Sequence, residues 1–196
     1  YKENKILKEK VKDLETINYN SEFVLAENER LKETLNELNF SSNEILAKVI
    51  VDKQSPFLKS IIVNKGSKHG AELGMAVLDK EYLVGKIVEL NFTTSRVLLL
   101  SDLNSKIPVD ILPNGIQSIL SGTGKENGKI QYVKEETLIE NENKVFTSGA
   151  GGIFKPGIPI GEIDKKQSNL DINVSFFSDF SQLRFVKLRS FSPEEN

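Results

Sequence analysis

Apolar residues recur along this chain with two different periods. In the first 46 positions they fall in heptads. With a at 7, 14, 21, 28, 35 and 42, the a positions hold Leu7, Leu14, Ser21, Asn28, Leu35 and Ser42, and the d positions hold Lys10, Ile17, Val24, Leu31, Leu38 and Ile45. Eight of these twelve are apolar, while much of the remaining surface is Lys, Glu and Asn. A narrow apolar seam on a charged helix predicts a coiled coil over residues 1–46. Its expected dimer contacts are Leu14, Ile17, Val24, Asn28, Leu31, Leu35, Leu38 and Ile45. Asn28 at an a position favours a fixed register in a two-stranded parallel pair. Ser21 and Ser42 weaken the seam, and the alternative is one amphipathic helix packed on its own domain. At about 1.5 Å per residue such a helix reaches roughly 60 Å.

From Ala47 the period shortens to that of β-strands. The runs are AKVIV, SIIVN, MAVLD, YLVGKIVEL, RVLLL, KIPVDIL, QSILSG, GKIQYV, KVFTSG, IPIGEI, INVSF and FVKLRS. Alternation is plain in Ile107, Val109 and Ile111, and again in Ile172, Val174 and Phe176. All 13 glycines and all 6 prolines lie beyond residue 46, and they punctuate these runs. Many short strands with frequent turn residues predict sandwiches or barrels, and no long helical pattern supports a parallel βαβ sheet. The expected fold is mainly β, with an N-terminal coiled-coil helix followed by two small six-stranded β-barrel modules. The modules are placed at 47–112 and 113–190, divided near LPNGIQ, with the last strand free to return to the first module and a tail at 191–196. Exposed edge strands are expected to offer further contacts by strand pairing.

Composition narrows the function classes. The 26 basic and 28 acidic residues give a net charge of −2, which carries no electrostatic argument for nucleic acid. The absence of cysteine excludes disulfides and thiolate metal sites. No run of 18 apolar residues spans a bilayer. The chain begins at Tyr1 without a signal-peptide pattern, and any anchor is expected upstream of these residues.

The stretch FTSGAGGIFKPGIPIGEI, residues 146–163, tests three chemistries. For a dinucleotide fingerprint, Phe154 stands where the third glycine belongs; for a P-loop, Ile158 and Pro159 follow the second glycine. Pro159 also opposes the helix that phosphate binding needs. His69, Asp102 and Ser148 follow the chain order of chymotrypsin-like proteases, but order is weak evidence for a triad. His69 is the only histidine, and Ser148 lacks the preceding Gly-Asp of those enzymes. The acidic clusters at 135–136 and 140–143 lack EF-hand spacing. Phe176, Phe177, Phe180 and Phe185 cluster late and are expected mostly in the core. No catalytic, cofactor-binding or metal-binding residue is expected.

Four segments together, AENERLKETL, IIVNKGSKHGAELGMAVLDKEYLVGKIVEL, VLLLSDLNSKIPVDI and VFTSGAGGIFKPGIPIGEI, resemble the MreC family of bacterial rod shape-determining proteins. The resemblance runs from about Ala26 to Ile163. It departs from the family pattern at Tyr82, at Asn143-Lys144 and in the placement of Pro156. It implies one upstream membrane span, a dimerising helix and two barrels on the extracytoplasmic (periplasmic) side of the inner membrane. One of those barrels would resemble a chymotrypsin barrel without its catalytic apparatus. It also implies a non-catalytic scaffold of the cell-elongation machinery that self-assembles and meets MreD, MreB, RodA and penicillin-binding transpeptidases. The rival readings are a degenerate or active hydrolase on a double barrel and a generic coiled-coil envelope linker.

Overall fold

The computed structural model describes residues 10, 21–22, 24–27, 44–133, 139–165 and 171–191, except 55–57, with 51–54 as backbone only. The chain divides into two units, Tyr1–Ser41 with Ser192–Asn196, and Ser42–Phe191. In the first unit Lys10, Ser21, Glu22 and residues 24–27 are helical, and Val24 and Leu25 are exposed. Of the other expected seam residues, Leu14, Ile17, Asn28, Leu31, Leu35 and Leu38 lie outside the described residues.

The second unit holds twelve strands. They are β1 (Glu44–Gln54), β2 (Lys59–Val63), β3 (Ala76–Asp79), β4 (Tyr82–Leu90), β5 (Ser95–Leu99), β6 (Lys106–Leu112), β7 (Ile116–Gly122), β8 (Asn127–Gln131), β9 (Lys144–Thr147), β10 (Pro159–Asp164), β11 (Asn173–Phe176) and β12 (Phe185–Arg189). They form two closed six-stranded barrels, in the orders β1-β12-β3-β4-β5-β2 and β10-β11-β8-β7-β6-β9. Every strand pairing is antiparallel. The alternating residues fill the interiors: Ile107, Val109 and Ile111 are buried on β6, as are Val186 and Leu188 on β12. Each barrel interior is small enough for side chains alone to fill it.

Three expectations change: the barrel boundary, the place of Ile45 and the edge strands. The boundary between barrels does not fall at 112/113, since that point lies in the β6–β7 hairpin. β6 pairs with β7 and β9 of the second barrel, so the crossing lies between β5 and β6. β12 returns to pair with β1 and β3 of the first barrel. Ile45 is not a helical seam residue. It lies in β1 with its Cα opposite Leu188, and its side chain packs on the core. Finally, closed sheets have no free edge in either barrel, so strand addition has no template there.

Closure requires tight curvature at two glycines. A Cβ on Gly85 of β4 would stand 2.2 Å from the Leu98 carbonyl oxygen on β5, and one on Gly161 of β10 would stand 2.1 Å from that of Ser175. Only a residue without a side chain lets the neighbouring backbone come that close.

Candidate interaction surface

The glycine-rich stretch at 146–163 is a stapled turn between β9 and β10. The Thr147 hydroxyl donates to the Lys155 carbonyl at 2.6 Å and accepts from the Ile158 N–H at 2.9 Å. The Gly157 N–H donates to the Thr147 carbonyl at 2.8 Å. Gly149, Gly151 and Gly157 have φ of 77°, 76° and 87°, the left-handed region where glycine is favoured. Phe154, the residue that broke the dinucleotide pattern, is buried beneath this turn's surface.

The three candidate triad residues are each engaged elsewhere. His69 ends a short 3-10 turn, and its Nδ1 accepts from the Gly66 N–H at 3.1 Å. Desolvation, then repulsion from Lys65 and Lys68, holds the imidazole below its ordinary pKa. Asp102 is fully buried in the β5–β6 connection. Its Oδ2 accepts from the Lys59 N–H at 2.7 Å, and its Oδ1 from the Asn104 N–H and side-chain amide at 2.8 and 3.0 Å. The Ser148 hydroxyl accepts from the Ala150 N–H at 3.3 Å. A nucleophile, base and orienter must bond to one another; here the bonds run to main chain and to Asn104.

On the exterior of the first barrel several large apolar side chains meet solvent. On β1, Glu44, Leu46, Lys48 and Ile50 point outward, and on β12 so does Phe185. Leu46, Ile50 and Phe185 are 63%, 53% and 55% exposed. Register places Phe185 opposite Lys48 and Leu46 opposite Lys187, so Leu46 and Phe185 are diagonal neighbours, roughly 7–8 Å apart at that spacing. Lateral exposure of three large apolar residues beside one another is the pattern of a contact surface. Sequence alone placed Phe185 with the core aromatics. Its place on the outer face follows from the β1–β12 register, which pairs it with Lys48, 137 positions away.

One end of this face is fixed by charge. Arg189 on β12 bonds to Glu44 at the start of β1 and, at 3.1 Å, to Glu81 in the β3–β4 turn. Lys187 bonds to Glu81 at 2.8 Å. Hydrogen bonds from Lys187, then Arg189, hold the Glu81 carboxyl below its usual range, and Glu81 in turn raises Lys187.

Comparison with known proteins agrees with this architecture. Residues 49–189 match the family described as rod shape-determining protein MreC, barrel core. The cell shape-determining protein MreC of Haemophilus influenzae is 31% identical over 98% of this chain and 60% of its own length. That of Caulobacter vibrioides is 33% identical over 75% of this chain, which covers 47% of it. The chain thus spans about half the length of the curated relatives it matches. The crystal structure of MreC from Pseudomonas aeruginosa superposes with a TM-score of 0.69 at 29% identity, covering 74% of this chain and 98% of that one. At fold level only, the complex between a penicillin-binding protein (PBP2) and MreC from Helicobacter pylori matches with a TM-score of 0.57 and 15% identity, over 76% of this chain and 98% of that one. With all of the second barrel and all but the first residues of β1 in the first barrel inside the matched region, the chain belongs to the MreC family.

Proposed function

We propose that this chain is a non-catalytic scaffold that maintains cell shape by joining copies of itself and organising peptidoglycan synthesis enzymes. The observation that carries the reading is the family match across both barrels, residues 49–189. The apolar face at Leu46, Ile50 and Phe185 supplies a surface of the kind such a role needs. The partner we assign to it is a penicillin-binding transpeptidase, by analogy with the Helicobacter pylori complex. RodA, MreD and MreB are further partners on family grounds. The protein would work on the periplasmic side of the inner membrane, held by a span upstream of Tyr1.

Tagged full-length protein, purified from solubilised membranes of its own organism, should enrich a penicillin-binding transpeptidase. The double variant Leu46→Asp and Phe185→Asp should lower that recovery about tenfold while leaving the circular dichroism spectrum unchanged. Equal recovery by the two proteins would remove the face from the interface, and no enrichment over an untagged control would remove the partner.

Self-association is assigned to the helix. The exposed Val24 sits at a seam position, and burying it with Leu14, Ile17, Leu31, Leu35 and Leu38 would contribute roughly 1.5–3 kcal/mol per fully buried side chain before ordering costs. Sedimentation of Leu31→Asp with Leu35→Asp should show monomer where the parent chain shows dimer. A dimer of undiminished stability would place the contact elsewhere.

A further inference from the structure

The junction between the barrels contains two adjoining hollows that the scaffold role does not use. The larger, of about 500 Å³, lies among Lys59, Ser101, Lys125, Glu126 and Phe180. The smaller, of about 330 Å³, shares Glu126, Phe180 and Ser181 and adds Phe176, Ser178 and Asp179. Both fall in the size range of small-ligand pockets.

Their walls are held in place before any ligand arrives. The Lys59 N–H is fixed by buried Asp102 at 2.7 Å, and the Gly124 N–H by the Ser101 carbonyl at 2.8 Å. Phe176 and Phe180 stack with ring centroids 4.8 Å apart. Asp179 Oδ1 accepts from the Ser181 N–H at 2.9 Å and from its hydroxyl at 2.6 Å. Those two bonds, the hydroxyl's first, keep the Asp179 carboxyl below its ordinary pKa and therefore charged.

Several groups remain unspent. The Ser178 hydroxyl, in a residue only 7% exposed that lines the smaller hollow, has no hydrogen-bond partner among the described residues. The oxygen itself is closed to solvent, so it offers no contact to a molecule in the hollow. Lys59 and Lys125 have no carboxylate partner among the described residues, and Asp179 Oδ2 accepts from no donor among them. The cations line the larger hollow, Asp179 and Phe176 line the smaller, and Glu126 and Phe180 stand at their shared wall.

We propose that this junction binds a short zwitterionic peptide, with its carboxylate in the larger hollow beside Lys59 and Lys125 and its ammonium in the smaller one beside Glu126 and Asp179. The stacked phenylalanines cover its apolar side. The inference goes beyond the scaffold reading and does not need it.

The test is a ¹H–¹⁵N NMR titration of the full chain with the tripeptide alanyl-glutamyl-lysine. Saturable shifts are expected at residues 125–127 and 178–181. Acetylating the amino groups or amidating the carboxylates should each weaken binding tenfold or more. The double variant Lys59→Gln with Lys125→Gln should bind the free peptide and its amidated form equally weakly. Lys59 is held through its main chain, so the same spectra verify that this variant is folded. No saturable shifts at 10 mM peptide, a figure on the order of the weakest specific affinities, would overturn the proposal. So would equal binding of free and doubly blocked peptide.

Discussion

At Thr147 a single hydroxyl serves two main-chain groups in a site only 1% exposed. Replacing it with valine keeps the shape but leaves the Lys155 carbonyl and the Ile158 N–H with one bond fewer each. Such orphaned buried groups cost about 1–3 kcal/mol, so Thr147→Val should lower the unfolding free energy measured in urea by that amount while Thr147→Ser stays near the parent. A Val variant as stable as the parent would mean that water replaces the hydroxyl. Glu81 invites a pH experiment. Its folded pKa is depressed, so its stabilising effect is present above the unfolded value of 4.5 and is lost as pH falls through the folded value. Below about pH 4.5 the difference in melting temperature between the parent and Glu81→Gln should therefore shrink. A difference independent of pH would show that the bonds to Lys187 and Arg189 are not charge-dependent. Raised Lys187 acts at the other extreme, its contribution being complete below 10.5 and lost as pH climbs through the folded value. Neither partnership is visible in sequence, because Glu81 and Arg189 are 108 positions apart.

Strands were the most legible level of this chain, since each buries one face and so writes an alternating pattern into its residues. Their membership was not legible. The β5–β6 connection (residues 100–105) and the β6–β7 turn (residues 113–115) carry the same polar, turn-forming residues. What separates the barrels is remote register, such as Leu112 opposite Lys144. Ile45 failed for a related reason, as heptad spacing extends through NFSSNE and nothing local announces that Glu44 will pair with Arg189. The glycines were legible as special positions, but for two different physical reasons that can be told apart. Gly161 is needed for space and Gly151 for its φ of 76° with nothing within 4 Å of a built Cβ. Gly161→Ala should therefore cost about 3 kcal/mol, at the upper end for overpacking. Gly151→Ala should cost about 1–2 kcal/mol, the strain of a left-handed alanine. Chemical denaturation of the two variants checks the order, and a reversed order would refute the assignment of steric closure to Gly161.

Two chain crossings make one joint between the barrels. In the second, Phe177 sits with its ring 5.2 Å from that of Tyr82 on β4, and its N–H donates to the Ile160 carbonyl of β10. In the first, Ser101, Asp102 and Ser105 are all buried, and the connection is bonded through their main-chain groups and the Asp102 carboxylate. Ser105 donates its N–H to the Asp102 carbonyl and accepts from the Gly122 N–H of β7, while Asp102 reaches Lys59 at the head of β2. The aspartate thus ties a strand of one barrel to a connection sealed against the other. A Cβ on Gly122 would lie 2.0 Å from the Asp102 carbonyl oxygen, so that contact leaves no slack. Asn at 102 offers a single acceptor oxygen where three donors converge, and whichever oxygen it replaces, bonds to Lys59 or to Asn104 are lost. A hydrogen bond to a charged group is worth about 1.5–3 kcal/mol, and Asp102→Asn should fall in that range by thermal unfolding. Amide exchange locates the loss. If the carboxylate couples the barrels, the Lys59 amide should exchange markedly faster in the variant, while core amides of each barrel such as Val97 and Val109 keep their relative protection. Unchanged protection at Lys59 together with an unchanged midpoint would reduce Asp102 to a local loop residue and leave the joint to Phe177 and Tyr82.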